Sequence, residues 1–162
     1  MAHPEAAPAS GVPFATRIPV RFGDCDPAGI VFYPRYFEMF NGVVEDWCEE
    51  RLGLGFREMH QERFWGVPTV RVETDFRAPS RLGEVLRAEL SVLKLGRASF
   101  TLRIVLRGPA GEERVAARLV LAMMDLRSMR SQAIPEGMRE RMAAYLAEAA
   151  PDGNLERKTK EG

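Results

Sequence analysis

Asp24-Cys25-Asp26-Pro27-Ala28-Gly29 puts two carboxylates and a thiol on one short turn, and apolar Ile30-Val31-Phe32-Tyr33 leads from it to Pro34. Three kinds of chemistry could start from such a cluster. A metal site needs three or four ligands at suitable spacing. Asp24 and Asp26 supply two, and the only histidines are His3 and His60, so no metal or cofactor is expected. A reactive thiol needs a positive setting that favours the thiolate. Cys25 lies between two carboxylates, which push its pKa up, and on an extended segment it points opposite to both. It reads as a small buried filler, and Cys48, on an apolar helix face, reads as core. The third option is carboxylate chemistry. Asp26 has an ordinary role open to it, as a turn former or helix cap. It also leads through an apolar stretch to a helix start, where backbone N–H groups are free and carry partial positive charge. An acid facing those donors across an apolar slot can act on a carbonyl: the N–H groups hold the oxyanion, and the carboxylate attacks or activates water.

The elements that must position this turn follow from periodicity. Residues 17–22 read as a strand with Ile18, Val20 and Phe22 on one face and Pro19 marking an edge. Residues 34–52 read as a helix. Pro34 suits its first turn, Phe37, Phe40, Val44, Trp47, Cys48 and Leu52 form one face, and Gly53 is a stop. The period then changes to two. Val70, Val72, Thr74 and Phe76 make one alternating run, and Leu86, Ala88, Leu90 and Val92 a second. Phe100, Leu102, Ile104 and Leu106 form the third, and Val115, Ala117, Leu119, Leu121 and Met123 the fourth. Each predicts a strand with one buried face, and the short turns between them predict antiparallel neighbours. Residues 135–149 read as a terminal helix carrying Met138, Met142, Tyr145 and Leu146. The class is α+β: one antiparallel sheet with one long helix across it. Val85, Leu93, Val105, Val120 and Met124 on the other face predict a subunit contact.

Composition narrows the function. The 162 residues suit one domain, expected over 15–149, with flexible tails at 1–14 and 150–162. The formal net charge is zero, which argues against nucleic acid or an anionic membrane as partner. No apolar run approaches the roughly 20 residues of a membrane span. Two cysteines make no disulfide framework, and a cytoplasmic protein is expected.

The stretch Phe22–Phe40, FGDCDPAGIVFYPRYFEMF, resembles the signature of the hotdog-fold acyl-CoA thioesterases of the 4-hydroxybenzoyl-CoA thioesterase family. Phe76-Arg77-Ala78-Pro79, Leu95-Gly96-Arg97-Ala98-Ser99-Phe100, Met124-Asp125 and Arg130 before Ile134-Pro135 extend the likeness over about residues 16–146. The resemblance implies a hotdog fold, an antiparallel sheet wrapped around one long helix with a short C-terminal helix. It implies hydrolysis of an acyl-CoA thioester, 4-hydroxybenzoyl-CoA or a short- to medium-chain acyl-CoA. Asp26 would be nucleophile or general base, with the backbone N–H of Tyr33 on the thioester oxygen. Gly29, Ile30, Val31 and Phe32 would line the substrate, and Arg97, Ser99 and Arg130 would meet coenzyme A. Sites of this family form between subunits of a dimer or tetramer. Asn41 departs from the acidic residue frequent at its position. Asp24 reads as a turn former, and Glu38 and Glu45 as exposed helix residues rather than the acid. Two rivals stay open: a hotdog dehydratase or hydratase, for which His60 is the one realistic histidine and reads as solvent-facing, and a non-catalytic acyl-CoA-binding module.

Overall fold

The four period-two runs pair as antiparallel neighbours in the computed structural model, which describes residues 11–148. They are β3 (Thr69–Phe76), β4 (Val85–Leu95), β5 (Ser99–Arg107) and β6 (Glu113–Ala122). With β1 (Phe14–Pro19) they form one sheet in the order β1-β4-β5-β6-β3. Strand β2 (Trp65–Gly66), β7 (Met124–Asp125) and β8 (Arg130–Ser131) make a small second sheet in the order β2-β7-β8. Helix α1 (Pro34–Glu50) follows β1, and α2 (Glu136–Ala143) closes the described chain.

The core lies between α1 and the inner face of the sheet. Leu86, Leu90, Leu102, Ile104 and Leu106 are fully buried there, in one cluster with Phe40, Val44, Trp47 and Cys48 of the helix. Each such side chain is worth about 1.5–3 kcal/mol of apolar transfer. Tyr36, Met39 and Val43 are buried as well, so the sheet wraps more of the helix than the single face read from the sequence. This is the hotdog arrangement.

Several expectations are corrected. The first strand begins at Phe14, which is 2% exposed, and ends at Pro19, which an edge strand tolerates. Residues Phe22–Asp24 form one turn of 3-10 helix instead, and Phe22 is 83% exposed. The expected tail 1–14 thus gives up Phe14 to the sheet; residues 1–10 and the tail from 150 lie outside the described residues. Helix α1 stops at Glu50 rather than 52, and α2 at Ala143 rather than 149. Val70, Val72 and Phe76 of β3 are exposed, because β3 is the edge strand farthest from β1 and the helix leaves its inner side open. Val105, assigned to the outer face, is buried within the single chain. Glu58–Glu62 forms a π-helical turn that periodicity missed.

Candidate active site

The Asp26 turn is a narrow hairpin. Phe32 N–H donates to Asp24 O at 2.9 Å, Cys25 bridges Val31, and Asp26 N–H donates to Ile30 O at 3.0 Å. Gly29 N–H closes the turn on Asp26 O at 2.9 Å, and Gly29 holds φ +75°, a conformation that favours glycine. Alternation along the hairpin sends Cys25 and Val31 to the core side and Asp24, Asp26, Ile30 and Phe32 to the other. Burial, then the Asp24 and Asp26 charges, push the Cys25 thiol up. Burial pushes Cys48 up to about 12. Asp24 accepts the Arg21 N–H at 2.8 Å and so shapes its own turn. Asp26 is half-buried; its Oδ1 accepts the Ala28 N–H at 2.8 Å, and its Oδ2 has no partner among the described residues.

The chain then enters α1. Tyr33 stands at the helix cap with φ −51° and ψ −34°, and Pro34 has no N–H to offer. The Phe32 N–H is taken by Asp24 O, and the Arg35 and Tyr36 N–H groups take Phe32 O and Tyr33 O. The Tyr33 N–H has no acceptor among the described residues. Around it lie exposed aromatic rings: Phe32 on Tyr33 at 5.6 Å, and Tyr33 on Phe76 at 6.2 Å, both edge-to-face. One helical turn on, a cavity of about 280 Å³ opens between α1 and β3, walled by Phe37, Asn41, Phe56, Val67, Thr69 and Val72 among others. A larger, shallower hollow of about 1000 Å³ includes Arg17, Arg81, Arg87 and Arg107 and neither Asp26 nor Tyr33. Its Arg87 and Arg107 already pair with Glu89.

Loop 77–84, between β3 and β4, holds the hairpin in place, a role that no local pattern of residues marks. Ser80 is fully buried; its O accepts the Val31 N–H at 2.9 Å, and its Oγ accepts the Tyr36 hydroxyl at 2.9 Å. Leu82 N–H donates to Gly29 O at 3.0 Å, and Arg81 bridges Ile30. A serine in a turn-like stretch carries no burial signal of its own.

The residues implied by resemblance fall into two groups. Asp26, Gly29, Ile30, Val31, Phe32 and Tyr33 are together, although the Val31 side chain is buried. Arg97 and Ser99 lie at the β4–β5 turn, where Gly96 N–H donates to Ser99 O at 2.8 Å. Arg130 pairs with Asp125 in the small sheet, beside the end of β6. That is the far end of β4, whose 11 residues span about 33 Å from the Asp26 end. His60 is half-buried, not solvent-facing; its Nδ1 lies 2.7 Å from Phe56 O, and its ring packs on Phe56. Glu38 pairs with Arg35 at 2.8 Å on the exposed side of α1.

A family model described as thioesterase-like superfamily matches residues 20–142. The chain belongs to the thioesterase-like superfamily. As a thioesterase-like protein it is a thioester hydrolase by family. It is 29% identical over 130 residues to the 1,4-dihydroxy-2-naphthoyl-CoA hydrolase of Prochlorococcus marinus (strain MIT 9313), covering 74% of this chain and 82% of that one. It is 30% identical over 124 residues to the 4-hydroxybenzoyl-CoA thioesterase of Pseudomonas sp. (strain CBS-3), covering 72% and 87%. Among solved structures, a gentisyl-coenzyme A thioesterase superposes with a TM-score of 0.73 at 25% identity over 80% of this chain and 99% of that one. A Staphylococcus aureus protein solved in complex with CoA shares the fold, with a TM-score of 0.80 at 17% identity over 98% and 100%. No helix among the described residues is long and apolar enough to cross a membrane.

Proposed function

We propose that this thioesterase hydrolyses an aromatic acyl-CoA to the free acid and coenzyme A, with Asp26 as its carboxylate catalyst. The observation that carries the reading is the occurrence, on one short segment, of a half-buried carboxylate whose Oδ2 has no partner among the described residues and of a Tyr33 N–H at the start of α1 with no acceptor among them. The Tyr33 N–H polarises the thioester oxygen and holds the oxyanion, a contribution worth about 2.7–4 kcal/mol per donor in other enzymes. Oδ2 of Asp26 either attacks the carbonyl carbon, expelling the CoA thiolate and leaving a mixed anhydride that water cleaves, or takes a proton from the attacking water. Oδ1, tied to Ala28, keeps the carboxylate from rotating. Gly29, Ile30 and Phe32 line the approach, with Val31 contributing backbone only.

The acyl group enters the cavity between α1 and β3. Its apolar wall suits a ring, with Asn41 and Thr69 as the polar groups. Curated relatives named for naphthoyl and benzoyl thioesters support an aromatic acyl group. Arg97, Ser99 and Arg130 bind the coenzyme A portion from a second subunit, since within one protomer they lie at the opposite end of the sheet. A homo-oligomer with the site at the subunit interface follows, and the cytoplasm is the compartment where acyl-CoA would be met.

Thiol release from 4-hydroxybenzoyl-CoA, 1,4-dihydroxy-2-naphthoyl-CoA and a set of aliphatic acyl-CoAs tests this. The aromatic substrates are expected to give kcat/KM at least tenfold above the aliphatic ones. No thiol release from any acyl-CoA would contradict hydrolysis. Dehydration of a 3-hydroxyacyl-CoA without thiol release would favour a dehydratase instead.

A further inference from the structure

The Asp26 hairpin is closed by bonds within itself and tied at its two ends to Arg21 and Phe22 before it and to Arg35 after it, while its hydrogen bonds across to the sheet come from elsewhere in the chain. The segment that supplies them is the stretch 79–84. Val31 N–H reaches Ser80 O, Leu82 N–H reaches Gly29 O, and Val20 N–H, just before the hairpin, reaches Glu84 O at 2.8 Å. This stretch has no ladder of its own beyond the isolated Ile30–Arg81 bridge.

What fixes it is Arg114, at the start of β6. Arg114 is 9% exposed, which is unusual for a guanidinium unless its donors are met. They are met by the loop. Nη1 donates to Pro79 O and, at 2.9 Å, to Glu84 Oε2; Nη2 reaches Glu84 Oε1 at 3.1 Å, and Nε reaches Glu112 Oε1 at 2.7 Å. The fork is bidentate on Glu84, the geometry that adds orientation as well as attraction. Glu84 Oε2 in turn accepts the Arg81 N–H at 2.8 Å. The backbone of Arg114 holds the same loop from its other end, since its O accepts the Arg77 and Ala78 N–H groups. On the side facing the helix, Tyr36 binds the Ser80 hydroxyl.

We infer that stretch 79–84, braced by Arg114 with Glu84 and by Tyr36 with Ser80, positions the Asp26 carboxylate against the helix start, and that Arg114 and Glu84 are positioning residues for catalysis. The inference rests on the hydrolytic reading above. None of these groups reaches the acyl cavity walled by Phe37, Asn41 and Val72, so they govern where the carboxylate stands and not how tightly substrate is held. A misplacement of about 1 Å costs on the order of a hundredfold in rate.

The test is steady-state kinetics of Glu84→Gln and Arg114→Lys beside wild type, with Arg118→Gln on the exposed face of β6 as a control. Glu84→Gln keeps the shape but removes the charge that the Arg114 fork grips. Its kcat is expected to fall at least tenfold with KM changed less than about twofold. Arg114→Lys keeps the charge without the fork and should fall between wild type and Glu84→Gln, and Arg118→Gln should match wild type. In amide exchange, Val31 and Leu82 of Glu84→Gln should exchange faster while Leu102, in the middle of β5, does not. Unchanged kcat in a folded Glu84→Gln, or a loss carried wholly by KM, overturns the inference. Should Glu84→Gln fail to fold, Tyr36→Phe removes only the hydroxyl on Ser80, and a kcat lowered about threefold or more at constant KM supports the proposal while an unchanged kcat overturns it. Full activity of an Asp26→Asn enzyme would instead remove the hydrolytic reading itself, a separate result.

Discussion

Cys25 and Asp26 are neighbours on one strand of a hairpin and point to opposite sides. Alternation carries the thiol toward the core and leaves the carboxylate half-exposed on the other side. Both outcomes were legible in the sequence, because they depend only on residue spacing and on a turn that Gly29 permits. The thiol has a consequence that can be measured. With its pKa raised by burial and by two flanking carboxylates, Cys25 should react with a disulfide reagent at pH 7.5 more slowly than free cysteine does. Cys48, fully buried and pushed up to about 12, should stay silent until the protein unfolds. Fast labelling of the native protein at Cys25 would show that its surroundings have been misread. Ser80 and Arg114 were not legible. Their roles come from contacts made across the chain, 44 and 30 residues away in the Tyr36–Ser80 and Arg114–Glu84 bonds, and no local pattern marks them.

At the scale of elements, period-two runs located β4, β5 and β6 and their buried faces, because all three are central strands with the helix against one side. For β3 the same reasoning located the strand but not its burial. An alternating strand buries its apolar face only if something lies against it, and the edge position of β3 leaves Val70, Val72 and Phe76 in the open. The strand ends carry ion pairs that give the sheet an acid sensitivity. The Arg114 fork, first among its causes, and then the Arg81 N–H hold Glu84 below the usual carboxylate range. For Glu89, burial raises the pKa, and the bonds from Arg107 and Arg87 more than reverse it. A depressed carboxylate pKa in the folded state stabilises above the unfolded value of about 4.3, and the contribution is lost as pH falls through the folded pKa. Thermal unfolding midpoints should therefore be flat from pH 8 to about 5.5 and drop steadily below about pH 4.5. Glu84→Gln should show a shallower acid drop, and an identical slope in that variant would exclude Glu84 as a contributor.

For the whole molecule, the Asp26 hairpin and the proposed coenzyme A residues Arg97, Ser99 and Arg130 sit at opposite ends of β4, which spans about 33 Å, so under the proposed function one protomer alone does not bring them together. Two copies can, if the open edge of β3 and the exposed rings at Phe32, Tyr33 and Phe76 are covered by a partner. Sequence patterning expects a subunit contact on the outer face, at Val85, Leu93, Val105, Val120 and Met124, and does not point to the β3 edge, so a shared site is a proposal from the geometry. Mixing protomers tests it. A protomer with Asp26→Asn and another with Arg97→Glu and Arg130→Glu should each be nearly inactive alone. Unfolded together in equal amounts and refolded, they should regain roughly a quarter of wild-type activity, because about that share of randomly assembled sites combines an intact Asp26 with an intact arginine pair. No recovery in verified mixed oligomers would place both groups' functions within single protomers.

The most direct measurement is turnover and binding of Asp26→Asn with an aromatic acyl-CoA. The amide keeps the shape and the Ala28 bond but can neither attack a carbonyl nor take a proton, so kcat should fall at least a thousandfold while the acyl-CoA dissociation constant stays within about threefold of wild type. A variant that turns over at near wild-type rate would contradict the assignment of Asp26 as the catalyst.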